Sequence, residues 1–321
     1  MTHTLGLSFD GSEAPDAFRA MIEVGDRGGA STAWIASHLF QREPIASAAI
    51  ALGGTKRIGI ALMAMSPYSV HPLYATMAAA TLDEYFPGRV KLCFGVGAPR
   101  DLEAAGLSAD HPIGTMREAI AVSRGLLSGE TVNVKGERFK VSGRRLANGA
   151  RNIPIFLAAS GPQMLELAGA AADGVLISAA TSPAFVRWTL DLVRRGEEKA
   201  GRRIHKTALV YVSADSDETV ARDRLRRTLG FILRGQHHAR NLELAGSRLD
   251  QAALASAYAG EDWNAVQRLV TDDVVMRHSA SGTPEQVRAA FAAYQAVGVD
   301  EIVASGMGNA DDLRQILQAI R

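Results

Sequence analysis

The sequence has almost no cysteine. Cys93 is the single one among 321 residues, which excludes an internal disulfide framework and a cysteine-rich zinc site. It lies in an apolar, strand-like run at residues 90–96, where we expect a buried and unreactive thiol. We predict no metal site.

The chain also lacks an excess of either charge. It carries 35 Lys and Arg against 34 Asp and Glu, so no strong field attracts nucleic acid or a membrane surface. The first residues show neither the basic region nor the long apolar core of a signal peptide. Residues 58–82 contain no Asp, Glu, Lys or Arg, but Pro67 and Pro72 interrupt that run, and a strand, a loop and a buried helix explain it better than a membrane span. We therefore predict a cytoplasmic protein that binds neither nucleic acid nor membrane.

What the chain does contain is a regular alternation of short apolar runs and helical patterns. Apolar residues make up 47% of the sequence and charged residues 21%, which suits a globular protein with a large core. Strands are predicted over residues 4–9, 32–36, 57–64, 90–96, 153–158, 174–178, 207–213 and 301–304. Helices are predicted over residues 14–28, 44–53, 72–85, 113–129, 162–172, 183–201, 217–234 and 284–297.

This alternation determines the predicted fold class. Strands that alternate with helices are parallel and joined by right-handed crossovers. Eight such units at this length favour a closed (β/α)8 TIM barrel over an open doubly wound sheet. We predict one α/β domain that comprises residues 1–321.

Two stretches do not follow the alternation. Residues 131–146 contain a predicted hairpin that turns at Lys135 and Gly136, inserted before the fifth strand. Residues 235–282 are helical in pattern and rich in polar side chains, and we read them as an insertion before the last helix. Because such excursions at a barrel mouth often form lids or dimer contacts, we expect both insertions to lie there.

The run from Ile153 to Ser178 predicts a strand, a tight turn, a helix and a second strand. Pro162 suits the first helical position, and Gly161 lets the backbone come close to a ligand above the turn. The N–H groups of Gln163, Met164 and Leu165 then point out of the helix end, where a phosphate is favoured. The alternative is an ordinary strand-to-helix turn without a ligand.

The carboxyl ends of the strands are the places to search for an active site in this fold. The first predicted strand ends at Asp10 and the second at His38. The third leads into residues 63–72, the fourth into residues 95–101, the fifth into residues 159–164 and the sixth into residues 178–181.

Several motifs at these strand ends carry a family resemblance. They lie in residues 33–40, 71–97, 138–146 and 153–174, and they include Thr81-Leu82-Asp83, Gly88-Arg89, Gly95-Val96-Gly97, Gly161-Pro162 with Met164, and Ala172-Asp173-Gly174. In these segments the chain resembles the bacterial luciferase-like superfamily of flavin- and F420-dependent oxidoreductases. The branch that it resembles best is that of the F420-dependent methylenetetrahydromethanopterin reductase-like proteins.

The resemblance implies a cofactor that lies across the barrel mouth. Its phosphate would bind at the helix end formed by Ala159, Ser160, Gly161, Pro162, Gln163 and Met164. Many relatives have a lysine at the position of Gln163, so this chain would rely on backbone N–H groups and the helix dipole, which contributes ~0.3–1 kcal/mol when exposed.

The resemblance also implies a cofactor contact on the third strand. Relatives carry a bulge there, often with a non-prolyl cis peptide, that contacts the middle of the flavin or deazaflavin ring. It matches Met63, Ala64, Met65 and Ser66 here, with Gly97 following the fourth strand. From the residues alone, Met63 and Met65 are better explained individually as side chains that fill the core of an ordinary strand.

Three residues are candidates for proton transfer. Several F420-dependent relatives place a histidine at the position of His38, after an acid that is Ser37 here. They often place a carboxylate about three residues after the Gly-x-Gly motif, where this chain has Arg100 and then Asp101. Asp101 either takes that role or forms an exposed pair with Arg100, and Asp10 is a second candidate acid.

Together these features predict an oxidoreductase that transfers a hydride between F420 and a small organic substrate bound at the barrel mouth. The cofactor would supply the chemistry, and the protein orientation and electrostatics. The alternatives are an FMN-dependent monooxygenase or reductase of the same superfamily, or a catalytically degenerate flavin-binding protein. Since relatives are commonly homodimers, we expect a homodimer by analogy.

Overall fold

The computed structural model describes residues 4–320. In this range the chain forms eleven strands. They are β1 (Thr4–Phe9), β2 (Thr32–Ala36), β3 (Gly59–Met65), β4 (Val90–Phe94), β5 (Val132–Lys135), β6 (Lys140–Arg144), β7 (Ile155–Ala159), β8 (Gly174–Ile177), β9 (His205–Ala214), β10 (Ala280–Gly282) and β11 (Glu301–Ser305).

The same range contains fourteen α-helices and one short 3-10 turn at Gln236–His238. The helices are α1 (Pro15–Gly28), α2 (Pro44–Gly53), α3 (Pro72–Tyr85), α4 (Pro99–Ala104), α5 (Pro112–Leu127), α6 (Pro162–Ala171), α7 (Pro183–Ala200), α8 (Glu218–Leu233), α9 (Ala239–Ala245), α10 (Gln251–Ala259), α11 (Trp263–Leu269), α12 (Asp272–Arg277), α13 (Pro284–Ala296) and α14 (Ala310–Ala319).

The hydrogen-bonded strand order is β10-β9-β11-β1-β2-β3-β4-β7-β8, with a further pairing of β9 with β8. The neighbouring strands β1, β2, β3, β4 and β7 pair in parallel, with register partners such as Gly6 and Thr32 or Leu92 and Ile155. Without the short β10, the order is that of a closed eight-stranded parallel sheet whose strands alternate with helices. The predicted (β/α)8 TIM barrel is confirmed.

Proline marks where many of the helices begin. Eight of them start at a proline in the first turn, a position where its fixed φ and missing N–H cost nothing. Side chains also cap some of these helices: the carboxylate of Glu43 accepts the Ala46 N–H before α2, and Thr283 and Gln286 form a capping box at α13. The predicted starts of α2, α3, α6, α7 and α13 are confirmed.

The chain divides into two compact units. The larger unit comprises Gly6–Leu176 and Asp191–Lys206, and the smaller comprises, within the described residues, Thr4 and Leu5, Ile177–Leu190 and residues 207–320. In the larger unit the core contains Trp34 and Phe156, packed edge to face with ring centroids 5.3 Å apart. In the smaller unit a buried cluster joins α8, α10, α11 and α12 and includes Leu229, Leu254 and Val274.

The two predicted insertions have the predicted secondary structure. Residues 132–144 form the antiparallel hairpin β5–β6, and residues 236–277 are mostly helical. Three elements were not predicted: the six-residue α4, the three-residue β10 paired with β9, and α14 after β11. The second insertion precedes α13, the helix predicted over residues 284–297, and α14 follows as a further helix. No helix between residues 4 and 320 is long and apolar enough to cross a membrane.

Candidate functional site

The third strand is irregular where it ends. The peptide bond between Met63 and Ala64 is cis, and the pairing of β3 with β4 changes register between Leu62 and Met65. The bulge is joined to both neighbouring strands: the Ser37 N–H donates to the Met63 carbonyl over 2.5 Å, and the Gly95 N–H donates to the Met65 carbonyl over 3.3 Å. The bulge with a cis peptide is therefore present where the resemblance implied it.

Small side chains meet beside this bulge. A Cβ at Gly95 would lie 2.7 Å from the Ala64 Cβ and 3.2 Å from the Ala158 Cβ, so only glycine fits between them. Ala64 and Ala158 are partly exposed, whereas Gly95 is buried. We call Ala64, Gly95 and Ala158 the floor, since these three small residues lie close together at the ends of β3, β4 and β7. Neither Gly95 nor Ala158 was predicted as a site residue.

Ser66 and Gly97 connect the bulge to the loop after β4. The Ser66 hydroxyl donates to the Val96 carbonyl over 2.7 Å and is nearly inaccessible to solvent. Gly97 has a φ of +94°, which favours glycine, and a Cβ there would lie 3.3 Å from the Ser66 Oγ. These two predicted cofactor residues are thus in contact with each other.

The turn after β7 leaves a helix end open. Gly161 is the N-cap of α6, and no side chain caps this helix. The first α6 hydrogen bond at this end joins the Leu165 N–H to the Gly161 carbonyl, which leaves the N–H groups of Gln163 and Met164 without a protein partner among the described residues. No atom would lie within 4 Å of a Cβ at Gly161, and its φ of −84° suits any residue. The missing side chain at Gly161 therefore keeps the space beside two free donors open.

The carboxylates in the loop after β1 accept hydrogen bonds from groups of the same loop. The Asp10 Oδ1 atom accepts the N–H and the hydroxyl of Ser12 at 2.8 and 2.5 Å, and the Glu13 carboxylate accepts the N–H groups of Asp10 and Gly11. The Arg42 guanidinium donates to the carbonyls of Gly11 and Ser12. One carboxylate oxygen of Asp10 is therefore hydrogen-bonded within its own turn.

His38 and Asp101 have fewer contacts. His38 is exposed directly after Ser37, whose N–H bonds to the bulge, and its ring nitrogens have no protein partner in residues 4–320. Asp101 is half-buried in the first turn of α4. The expected alternative of an ion pair between Asp101 and Arg100 does not form within the described chain.

The hairpin β5–β6 contacts the loop after β3. The Glu118 carboxylate on α5 accepts the N–H groups of Glu137, Arg138 and Phe139. Burial raises the pKa of Glu118, but these three donors outweigh it and hold the pKa below its ordinary value. The Arg138 guanidinium lies 4.4 Å from the centre of the Tyr68 ring. The insertion at residues 131–146 therefore reaches the loop that follows the bulge.

Two further motifs of the sequence have structural roles. His71 caps α3, since its Nδ1 accepts the Leu73 N–H, and burial lowers its pKa. The Asp173 carboxylate accepts the Ile155 N–H and the Arg124 guanidinium at 2.8 and 2.7 Å. Gly174 is required because a Cβ there would collide with the Phe156 ring. These residues stabilise the fold of the larger unit.

Comparisons with known proteins point in one direction. A family model described as luciferase-like monooxygenase matches residues 2–301. The 5,10-methylenetetrahydromethanopterin reductase of Methanolobus tindarius is 30% identical over 308 residues, which cover 94% of this chain and 93% of that protein.

Two solved structures have the same fold. The coenzyme F420-dependent tetrahydromethanopterin reductase of Methanopyrus kandleri superposes with a TM-score of 0.91 at 24% identity, over 99% of this chain and 98% of that chain. An F420-dependent secondary alcohol dehydrogenase in complex with an F420–acetone adduct gives a TM-score of 0.81 at 20% identity, over the whole of both chains.

Proposed function

The chain belongs to the luciferase-like monooxygenase family, and from that premise we propose that it is an oxidoreductase that transfers a hydride between coenzyme F420 and a small organic substrate. The observation that carries the proposal is that the floor and the free helix end are neighbours in the chain, at the end of β7. Ala158 of the floor is followed after two residues by Gly161, whose helix offers two unpaired N–H donors. Two partly exposed alanines beside a glycine and an anion-ready helix end together suit a planar ring that carries a phosphate.

The residues present fit such a cofactor. The ring would lie against the floor, where Gly95 adds no side chain and Ala64 and Ala158 add one methyl group each. The phosphate would accept hydrogen bonds from the N–H groups of Gln163 and Met164. Because no lysine stands at Gln163, the positive end of the α6 dipole supplies the charge complement there.

Within this site the protein would orient the reactants and handle a proton. F420, when bound, supplies the hydride-carrying carbon. His38 is the best placed proton donor, because its ring is exposed, follows Ser37, which bonds to the bulge, and has no protein partner among the described residues, and an imidazole N–H can donate to a developing oxyanion. Asp10 is less suited as a proton donor, since its Oδ1 atom already accepts a hydrogen bond from Ser12. Asp101, on α4, is the third candidate.

The names of the relatives support a small organic substrate. One acts on a methylenated pterin and another on a secondary alcohol, as their names state. We propose that this chain binds a small organic substrate at the carboxyl ends of the strands, facing the cofactor ring. A panel of 5,10-methylenetetrahydromethanopterin and short secondary alcohols, followed through the visible absorbance of F420, tests the assignment.

The decisive test of cofactor identity is a fluorescence titration of the purified chain with F420 and with FMN. We expect F420 to bind more tightly. Tight FMN binding without any F420 response would overturn the proposal in favour of an FMN-dependent monooxygenase or reductase, which would consume oxygen with reduced flavin. Binding of F420 without turnover of any substrate in the panel would indicate a degenerate binder.

We also propose that the chain forms a homodimer through α2 and α3. The α2 helix contains no charged residue and α3 contains none before Asp83, yet Ile50, Tyr74 and Met77 are 45%, 61% and 43% exposed. Uncharged helix faces with exposed aromatic and Met side chains are typical of homodimer interfaces. Sedimentation analysis should give twice the chain mass, and Met77→Glu should shift it towards the monomer, whereas a monomeric wild-type chain would refute this proposal.

A further inference from the structure

The tip of the hairpin β5–β6 is held against α5. The Glu118 carboxylate accepts three successive backbone N–H groups there, those of Glu137, Arg138 and Phe139, over 2.9, 3.0 and 3.0 Å. A Cβ at Gly136 would lie 2.2 Å from a Glu118 carboxylate oxygen, so glycine lets the tip come this close to α5. The backbone from which the Arg138 side chain extends therefore has a fixed position.

The residue after Arg138 holds the tip on a second side. Phe139 is buried and packs edge to face on the His71 ring, with ring centroids 5.0 Å apart. Because His71 caps α3, this contact joins the tip to the helix that follows the loop after β3. The hairpin, α3 and α5 all belong to the larger unit.

The Arg138 side chain itself is exposed, and its guanidinium lies 4.4 Å from the centre of the Tyr68 ring. Tyr68 is buried, and its hydroxyl donates to the Asp110 carbonyl over 2.7 Å, so the ring is a fixed support. The ring face attracts the positive charge of the guanidinium but accepts none of its N–H groups in the plane. These N–H groups have no acceptor within residues 4–320.

The carboxylates near Arg138 do not pair with it. The oxygens of Glu118 accept the backbone N–H groups of the tip, and although the charges of Glu118 and Arg138 attract each other, the two side chains form no ion pair in the described part of the chain. The Asp110 Oδ2 atom accepts the Ser108 hydroxyl over 2.9 Å. Arg138 is thus a fixed cation whose guanidinium donors are available to a ligand.

Tyr68 connects Arg138 to the proposed cofactor residues. The Tyr68 N–H donates to the Ser66 Oγ over 3.3 Å, and Ser66 directly follows the bulge on β3. Loops at this end of the strands supply the active-site residues of (β/α)8 barrels. Since β4 lies between β3 and β7, the loop after β3 is about 10 Å, or two strand spacings, from the end of β7. One phosphate does not span that distance, so a group bound by Arg138 differs from the phosphate proposed at α6.

We propose that Arg138 binds a second oxyanion, a carboxylate or phosphate of a ligand at the barrel mouth, and that Glu118 is the positioning residue that holds Arg138 in place. The planar guanidinium matches two oxygens of such a group. This inference rests on the proposed function and makes the ligand more specific. The oxyanion belongs either to F420, beyond its phosphate, or to the substrate, and the experiment separates these two sources.

The test compares two variants that each remove one positive charge from the hairpin. Arg138→Gln removes the guanidinium over Tyr68, and the matched control Lys140→Gln removes an exposed ammonium on β6. The measurements are a fluorescence titration with F420 and a calorimetric titration with 5,10-methylenetetrahydromethanopterin, whose tail is anionic. Both are made at low and at high salt.

Each source of the oxyanion gives its own result. If F420 supplies it, Arg138→Gln should raise the F420 Kd about tenfold at low salt, the loss of one charge-assisted contact, and added salt should reduce the difference. If the substrate supplies it, the F420 Kd should stay within about twofold, and the affinity for the pterin should fall about tenfold instead. Lys140→Gln should stay within about twofold of the wild type in both titrations.

Glu118→Gln tests the positioning role. The amide group replaces one carboxylate oxygen by a donor, which cannot accept the N–H group that it faces. Amide hydrogen exchange of residues 137–139 should therefore quicken, and the affinity that depends on Arg138 should fall about threefold. The double variant with Arg138→Gln should bind no more weakly than Arg138→Gln alone, because both act on one contact. Additive losses would show that Glu118 does not act through Arg138.

A failure of this inference is distinguishable from a failure of the proposed function. A wild-type chain that binds no F420 would refute the proposed function. A wild-type chain that binds F420, with neither titration changed by Arg138→Gln or with no pterin binding to change, would overturn this inference alone. Equal losses in Arg138→Gln and Lys140→Gln would overturn it as well, because only the net charge of the hairpin would then matter.

Discussion

Replacing Gly95 with alanine should distort the floor from inside. The added Cβ would lie 2.7 Å from the Ala64 Cβ and 3.2 Å from the Ala158 Cβ, whereas two carbons in good contact are ~3.5–4.0 Å apart. Neither neighbour is the end of a flexible side chain, so a backbone segment has to move. The segment that we expect to move is the bulge, since it contains Ala64.

The size of the effect follows from this overlap. Overpacking of this kind costs ~1–3 kcal/mol, which for a chain of this length lowers the melting temperature by roughly 2–5 °C. A shift of the bulge by ~1 Å should also reduce turnover, by up to ~100-fold where reactants must be aligned. The assays are thermal denaturation, F420 titration and steady-state turnover.

Gly114→Ala is the matched control. It adds the same methyl group within α5, where no atom would lie within 4 Å of it. It should leave F420 binding unchanged and raise stability by up to ~1 kcal/mol, because alanine favours a helix more than glycine does. A Gly95→Ala protein that melts and binds F420 like the wild type would refute the role of the floor.

Three further predictions concern single side chains. His38→Ala should lower kcat by ~100-fold or more while leaving the F420 Kd nearly unchanged; unaltered kcat would reduce His38 to an exposed polar residue. Gln163→Lys should tighten F420 binding about tenfold at low salt, with a gain that shrinks as salt is added, and Gln163→Glu should weaken it. The hydrogen bond and charge of Arg226 hold the pKa of Asp272 below its ordinary value of 3.8. The ion pair therefore stabilises the fold above that pH and is lost as the pH falls through the lowered pKa. The difference in melting temperature between wild type and Asp272→Asn should accordingly be full near pH 7 and shrink below about pH 4, and a difference that is constant with pH would contradict this.

Much of the fold was predictable because its signals are local. A proline at the start of a helix is visible in the sequence, and the starts at Pro44, Pro72 and Pro162 were predicted to the residue. The short elements α4 and β10 were missed because six or three residues carry no measurable periodicity. The missed α14 did have a local signal, since Asn309 caps it by accepting the N–H groups of Asp311 and Asp312.

The family was also predictable, because its motifs are short stretches at strand ends. The resemblance read from them is confirmed by the family model over residues 2–301. The position of the bulge on β3 followed from the same resemblance, and the cis bond between Met63 and Ala64 lies there. The roles of the individual site residues stay predictions.

Other parts of the site depend on contacts between distant residues. The fit of Gly95 between Ala64 and Ala158 involves residues at the ends of three strands, and no local sequence pattern predicts it. The hydrogen bonds of Asp10 within its own turn could have been predicted, because an Asp-Gly-Ser sequence favours such turns.

The helix end after β7 is the central element of the proposed cofactor site, and Gly161→Asp tests it most directly. Aspartate is a better N-cap than glycine and its charge favours a helix N-terminus, so the variant should melt at or slightly above the wild-type temperature. Its carboxylate would nevertheless take the N–H donors of Gln163 and Met164 and repel a phosphate. We expect the F420 Kd of this variant to rise at least ~10-fold with the fold intact. An unchanged Kd would show that the phosphate does not bind at this helix end.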